Sequence, residues 1–264
     1  MNGAFDRDSI ASMVPSVKNF LSLDGLSVAN GEKTLLSAVS FSVGAGEFAV
    51  AIGPNGAGKS SLLRAIAGHP DYAVTAGRLL FGGEEISRLA PEERARRGIF
   101  LAFQDPTELP AITIAQLLKA ARQARLGAEE NFDLLGFYDE LHRALDSLSL
   151  DRAWANRPVN GGFSGGEKKR CELLQIMLLK PSFLLLDEID SGLDVDGTRL
   201  VGAVLRNQLA GGVGILLVTH SKKLLDLLPV RKVHAINCGR LVRSGGIELV
   251  DAVERGGFGE VFNS

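Results

Sequence analysis

One segment constrains this chain more than any other: GPNGAGKSS, Gly53 to Ser61, standing between the apolar run EFAVAIG and the stretch SLLRAIAG. The first run reads as a buried strand, and the apolar residues of the second recur at helical spacing. Strand, glycine-rich loop and helix are in the order that phosphate binding requires, and Gly53, Gly58, Lys59 and Ser60 match the GxxxxGK[ST] pattern of a P-loop. Glycines let successive backbone N–H groups face phosphate oxygens, and the helix N-terminus adds partial positive charge. The expected phosphate-binding residues are therefore Gly53, Pro54, Asn55, Gly56, Ala57, Gly58, Lys59, Ser60 and Ser61. Lys59 is expected to reach the β and γ phosphates, and Ser60 to offer its hydroxyl to Mg²⁺, a hard cation that prefers oxygen.

A second acidic motif closes FLLLDE, where Asp187 and Glu188 follow four apolar residues at the C-terminal end of a predicted parallel strand. Ligands bind at that edge of an α/β sheet. Asp187 is expected in the Mg²⁺ shell, and Glu188, one residue further on, is placed to polarise the attacking water. The alternative is a pair of solvated carboxylates at a strand end. Gln104 ends the run IFLAFQ and offers an amide to Mg²⁺ or to the water; His220 ends GILLVTH and offers an imidazole near the γ-phosphate. A lone histidine at a strand end is more often structural, so His220 gains meaning only from the others.

The remaining chain supplies a setting for such a site. From Phe20, FLSLDGLSV and LLSAVSFSV flank the turn-prone Asn30-Gly31 pair, which predicts an antiparallel β entry. Residues 105–160 are rich in helix formers and carry no strong strand signal, so they read as an inserted helical lobe. From Phe163 the order is helix, strand, helix, strand, helix and a strand-rich end, the alternation of a parallel α/β sheet. The expectation is an α/β P-loop NTPase: a mixed parallel core with an antiparallel β subdomain over residues 19–104 and 161–264, an inserted helical subdomain over 105–160, and a flexible extension over 1–18.

Composition narrows the partners. Of 264 residues, 45% are hydrophobic and the formal net charge is −2, which offers no general attraction to nucleic acid. The longest apolar runs fall far short of the ~20 residues that cross a bilayer, so no direct membrane insertion is expected. Asp6 and Asp8 interrupt the first residues, which argues against a secretory leader. Cys171 and Cys238 form no CxxC pair, and a reducing cytoplasm fits best.

The element that fixes a family is FSGGEKKR, Phe163 to Arg170, which resembles the signature sequence of ABC ATPases. The series P-loop, Gln104, signature, Asp187-Glu188, Asp194, His220 follows the ABC order and spans nearly all the chain after Phe20. The resemblance implies ATP hydrolysis in an ATP-dependent homodimer, with Ser164, Gly165, Gly166 and Glu167 of one subunit closing over ATP on the other's P-loop. It also implies that Asp194 belongs to the nucleotide-binding set. Taken alone, SGGE would be an ordinary helix start with a capping residue. Ile189 in DEIDSGLDVD, the stretch GIFLAFQDPTELPAITIAQLLKAA and the helix ELLQIMLL after the signature are similar to the SufC family of iron–sulfur cluster assembly ATPases. That likeness implies SufB and SufD scaffold proteins as partners. A permease-bound transport subunit and a non-hydrolysing nucleotide switch are the competing functions.

One departure from the ABC pattern is the region LSVANGEK, which has no aromatic residue to stack on adenine; apolar packing near Val28 is expected instead. The cluster RARR, Arg94 to Arg97, reads as a solvated helix face. Lys168 or Lys169 could pair with Glu188, although a solvated first turn is expected for at least two of Lys168, Lys169 and Arg170. Both cysteines are expected to be buried as small apolar residues.

Overall fold

A computed structural model of the 264-residue chain describes residues 20–103, 106–127, 130–219 and 221–262. The expected extension over 1–18 lies outside them, as do Gln104 and His220.

The chain enters as β1 (Leu21–Asn30), turns at Gly31 and returns as β2 (Lys33–Val43). Next come β3 (Phe48–Ile52), α1 (Lys59–Ala67), β4 (Ala73–Phe81), the two-residue β5 (Glu84–Glu85), α2 (Pro91–Arg96) and β6 (Ile99–Ala102). The middle of the chain holds β7 (Leu109–Thr113), α3 (Ile114–Gln123), α4 (Leu134–Ser147), a 3₁₀ turn (Arg152–Asn156) and β8 (Pro158–Val159). After it follow α5 (Gly165–Leu179), β9 (Phe183–Asp187), α6 (Val195–Ala210), β10 (Gly214–Val218), α7 (Lys222–Leu225), β11 (Lys232–Asn237), β12 (Arg240–Gly245), α8 (Glu248–Gly256) and α9 (Phe258–Phe262).

Three sheets result: an antiparallel one in the order β2-β1-β4-β5, a six-stranded one in the order β12-β11-β3-β10-β9-β6, and a β7-β8 ribbon. In the six-stranded sheet every pairing but β11 with β12 is parallel. Buried on both faces, its central strands carry continuous apolar runs, and the period-two alternation of a strand divides their side chains between two cores. Val50, Leu184, Leu186, Ile215 and Leu217 join one core with α3, α4, α5, α6 and α8. Ala49, Ala51, Leu185, Leu216 and Val218 join the other with α1 and the antiparallel sheet. Leu184, Leu185 and Leu186 are each fully buried, and burying one such side chain contributes about 1.5–3 kcal/mol.

The register brings the functional strand ends together. Ala102 pairs with Leu186, Asp187 with Val218, and Val218 with Ala51. Strands β3, β6, β9 and β10 therefore finish at one edge of the sheet, where the P-loop and the acidic pair emerge.

The ribbon of β7 and β8 departs from the expectation of a lobe without strands. It pairs only Leu109 with Val159 and Thr113 with Pro158, across an irregular register. So short a pairing to a distant partner leaves little local periodicity. The helices α8 and α9 likewise have no counterpart in the sequence reading, which stops at the strands before them.

Candidate active site at the strand ends

The phosphate loop is shaped by glycines that no other residue could replace cheaply. Gly53 and Gly58 lie at φ 158° and 105°. A Cβ on Gly53 would stand 2.1 Å from the Ile236 carbonyl oxygen of β11, so the loop and the neighbouring strand touch backbone to backbone. The β11–β12 turn braces the loop from that side, because Gly239 N–H donates to Ala57 O at 2.8 Å. Gly58 is the N-cap of α1 and provides no side-chain cap, so the first amides of that helix are not satisfied by their own cap residue.

Lys59 is 6% exposed, and its Nζ donates to Gly53 O and Pro54 O at 2.8 and 3.0 Å, which folds the side chain back over the loop. Burial lowers its pKa, against the opposing pull of Glu188 and Asp187. Ser60 Oγ donates to Asp187 Oδ1 at 3.1 Å, joining the loop to the end of β9. Asp187 is 3% exposed. Burial raises its pKa, and the Ser60 hydrogen bond only partly opposes this. A hydroxyl and a buried carboxylate oxygen are the hard donors a magnesium ion takes, so these two residues fit the metal that MgATP would bring.

Glu188 follows in the left-handed region at φ 50°, with its N–H held by Val218 O at 2.9 Å. Such a conformation costs a non-glycine residue of order 1–3 kcal/mol and persists where the surroundings hold it. Here Ile189 is fully buried, and Asp190, 8% exposed, accepts from Thr219 Oγ1 at 2.9 Å. Glu188 and the loop residues Asn55, Gly56, Gly58, Lys59, Ser60 and Ser61 line one cleft of about 360 Å³.

The signature occupies another place. Ser164 is the N-cap of α5, its Oγ accepting from Glu167 N while the Glu167 carboxylate accepts from Ser164 N. Phe163 is buried, whereas Ser164 and Gly165 are exposed and Gly166 half-buried. Ser164, Gly166, Glu167 and Asp194 line a cleft of about 490 Å³, and no described residue lines both this cleft and the P-loop cleft. Asp194 caps α6 by accepting from Gly197 N at 2.7 Å.

Several expectations need correction. Val28 is fully buried within β1, so its side chain presents no surface to a base. Lys169 is not solvated: it is 6% exposed and bonds Glu172 at 3.2 Å, while Lys168 lies 4.0 Å from Glu108. Burial raises the Glu172 pKa, and Lys169 offsets part of that rise. Arg94 leaves the solvated face of its cluster and is 3% exposed, donating to Ala65 O and Ile66 O at the C-terminal end of α1 and to Ser87 O. There it caps a helix whose next residue, Gly68, has room for nothing else, since a Cβ would meet Arg94 Nε at 2.9 Å. Cys171 is buried, which pushes its pKa up to about 11. Cys238 is exposed, because it forms the β11–β12 turn with Gly239 at φ 46° and 73°, the two consecutive positive values of a tight hairpin.

Sequence reasoning also missed the Asp190–Thr219 bond, which ties the segment after Glu188 to the residue before position 220. Its only sequence signal is a carboxylate two residues beyond Glu188 and a hydroxyl at the end of β10.

Comparison with known proteins agrees with this arrangement. The family described as ABC transporter matches residues 36–191. Vegetative protein 296 of Bacillus subtilis (strain 168) is 39% identical over 238 residues, covering 90% of this chain and 91% of its own. The probable ATP-dependent transporter ycf16 of Pyropia yezoensis is 39% identical over 243 residues, covering 91% of this chain and 97% of its own. Among solved structures, an ATP-binding subunit of an ABC transporter aligns with a TM-score of 0.74 at 26% identity, over 89% of this chain and 92% of its own. On these matches the chain belongs to the ABC transporter family, as one of its ATP-hydrolysing nucleotide-binding cassettes.

Proposed function

We propose that the chain is a SufC-like ATPase whose ATP-driven dimerisation changes the conformation of a SufB–SufD scaffold during iron–sulfur cluster assembly. The separation of the two clefts carries the dimer part of this reading. The P-loop and Glu188 share one cleft, and the signature lines another with no described residue in common. A second copy facing the first would bring Ser164, Gly165, Gly166 and Glu167, with Asp194 nearby, to the phosphates held by the first copy's loop. Helix α5 then adds its N-terminus to that of α1.

Within one copy, the backbone N–H groups of the loop from Asn55 to Ser61 bind phosphate, and Lys59 leaves its carbonyl partners for the β and γ oxygens. Ser60 and Asp187 would hold magnesium, with Gln104 as a further ligand, and the ion would neutralise charge between the phosphates. Glu188 polarises the attacking water, and His220 steadies the γ-phosphate. Residues 105–160 act as a helical lobe on a core formed by 19–104 and 161–264. An apolar cleft of about 240 Å³ lined by Phe100, Phe103, Leu109, Leu117 and Val159 is the seat for a scaffold protein, with Phe103 44% exposed there. The spelling DEIDSGLDVD and the flanks of Gln104 support SufB and SufD as those proteins. No helix of the described residues is long and apolar enough to cross a membrane, and a cytoplasmic location suits the two cysteines.

The names of relatives favour a second reading, a transport subunit whose permease fills the same cleft: one from Pyropia yezoensis and one from Synechocystis are called probable ATP-dependent transporters. Affinity purification from the native cell separates the two. Co-purifying soluble SufB and SufD support the scaffold reading, and a polytopic membrane protein supports the other. Glu188→Gln is expected to trap an ATP-bound dimer with little turnover; hydrolysis at the normal rate would remove Glu188 from its role.

A further inference from the structure

The signature helix is held by a residue outside the signature. Arg157 directly follows the 3₁₀ turn, and its guanidinium carbon lies 4.6 Å from the Trp154 ring centroid and 4.2 Å from that of Phe163. The two rings are themselves 4.8 Å apart and tilted by 46°, so the guanidinium rests in the angle between them. A planar cation set against aromatic faces loses little further freedom when it forms a hydrogen bond. Arg157 Nη1 donates to Glu167 Oε1 at 3.0 Å.

The other oxygen of that carboxylate governs the signature serine. Glu167 Oε2 accepts from Ser164 N at 2.9 Å and from Ser164 Oγ at 2.8 Å. The backbone bond of Ser164, the Arg157 hydrogen bond and the Ser164 hydroxyl together hold the Glu167 pKa down to about 2, so the carboxylate is charged whenever the protein is folded near neutrality. A hydroxyl has one proton to give, and in this arrangement Glu167 takes it. The bond fixes the Ser164 side chain at the start of α5, and Arg157 fixes Glu167 in turn. The Arg157 carbonyl also accepts from Ile114 N at 3.0 Å at the start of α3, which ties the same residue to the helical lobe.

We infer that Arg157 is a positioning residue for the signature, acting through Glu167 to hold the Ser164 side chain and the first turn of α5 in the place where they meet nucleotide held by a second copy. The inference rests on the reading of Ser164 as a contact made between copies. It predicts a link from the lobe that docks a partner to the group that closes the dimer, through the Ile114–Arg157–Glu167–Ser164 chain of hydrogen bonds.

A double-mutant cycle on the full chain tests it, with ATP-dependent dimerisation by sedimentation and turnover by phosphate release as readouts. Arg157→Ala is expected to weaken both by about three- to tenfold, the range for one partly exposed charge-assisted hydrogen bond. Affinity of the P-loop for a fluorescent ATP analogue stays within about twofold, since that site is distant and independent. Arg157→Lys restores only part of the loss, because an ammonium lacks the planar face that rests against Trp154 and Phe163. In a Glu167→Gln background, which keeps the cap, Arg157→Ala is expected to add less than about twofold, the mark of two residues acting as one unit. Equal losses with Glu and Gln at position 167 would reduce Arg157 to packing against Trp154 and Phe163 and overturn the inference, as would an unchanged Arg157→Ala protein. Ser164→Ala is the control: if it leaves dimerisation and turnover intact, the reading of Ser164 fails first, whatever the cycle gives.

Discussion

Two helices in this molecule begin on glycine-rich turns, and they treat their first amides in opposite ways. Helix α1 starts from Gly58 with no side-chain cap. Helix α5 starts from Ser164 with a complete capping box, the serine and Glu167 satisfying each other's backbone. An uncapped N-terminus is unstable alone and ready for an anion, whereas a capped one is stable and must exchange a partner before it binds. The first suits a site that is already shaped; in the proposed dimer, the second belongs to a site that closes when another copy arrives. The glycines differ in kind for the same reason. Gly53 and Gly58 are forced by their φ values and by backbone within touching distance, while Gly165 and Gly166 have ordinary φ and open space around them.

The strongest test of the contrast is functional. Lys59→Ala removes the cation folded over the uncapped loop, and turnover is expected to fall by about 10²–10³, the cost of losing one donor aimed at developing charge. Ser164→Ala should reduce turnover far less. A phosphate-release assay that ranks them the other way breaks the comparison. Next come the glycines, read by urea denaturation. Gly58→Ala places a methyl at φ 105° and 3.0 Å from Leu36, and is expected to cost about 2 kcal/mol or more, beyond the ~1–2 kcal/mol of a left-handed alanine alone. Gly165→Ala meets nothing within 4 Å; it should leave stability within about 0.5 kcal/mol, as a surface change does.

Ser164→Ala then measures the cap, with an expected loss of about 1 kcal/mol in the same assay. The smallest effect concerns pH. The folded pKa of Glu167, about 2, lies below an ordinary glutamate near ~4.3, so its stabilising charge is fully present above that unfolded value. It is lost as the pH falls through about 4 toward about 2. The urea midpoint of Glu167→Gln should therefore lie below that of the unmodified chain at pH 7 and converge on it at acid pH; a gap that is constant with pH assigns the difference to packing.

Much of the contrast was legible in the residues. The strands of the parallel sheet announce themselves as short apolar runs, because both faces are covered, and the loop motif sits where its strand and helix demand. The capping box at Ser164 was also readable, since serine and glutamate three positions apart are a local signal. Features that depend on distant partners were not. Arg94 looks like one of three surface arginines until α1 presents its last carbonyls. Lys169 looks solvated until Glu172 is folded beside it in the core. Cys238 looks like a small apolar residue until the hairpin puts it at a turn. The left-handed backbone of Glu188 has no sequence signal at all, because the neighbouring strand end and the buried Ile189 impose it.

The unequal fates of the two cysteines have a practical consequence. Cys171 is buried behind the signature with its pKa raised to about 11, which leaves on the order of one thiolate in a thousand at pH 8. Cys238 is exposed on the turn that braces the phosphate loop, one residue from the amide that bonds Ala57. A maleimide dye added to the native chain should thus attach at a single place, directly beside the nucleotide cleft and without engineering. The protein carries its own attachment point for a fluorescent reporter beside that cleft.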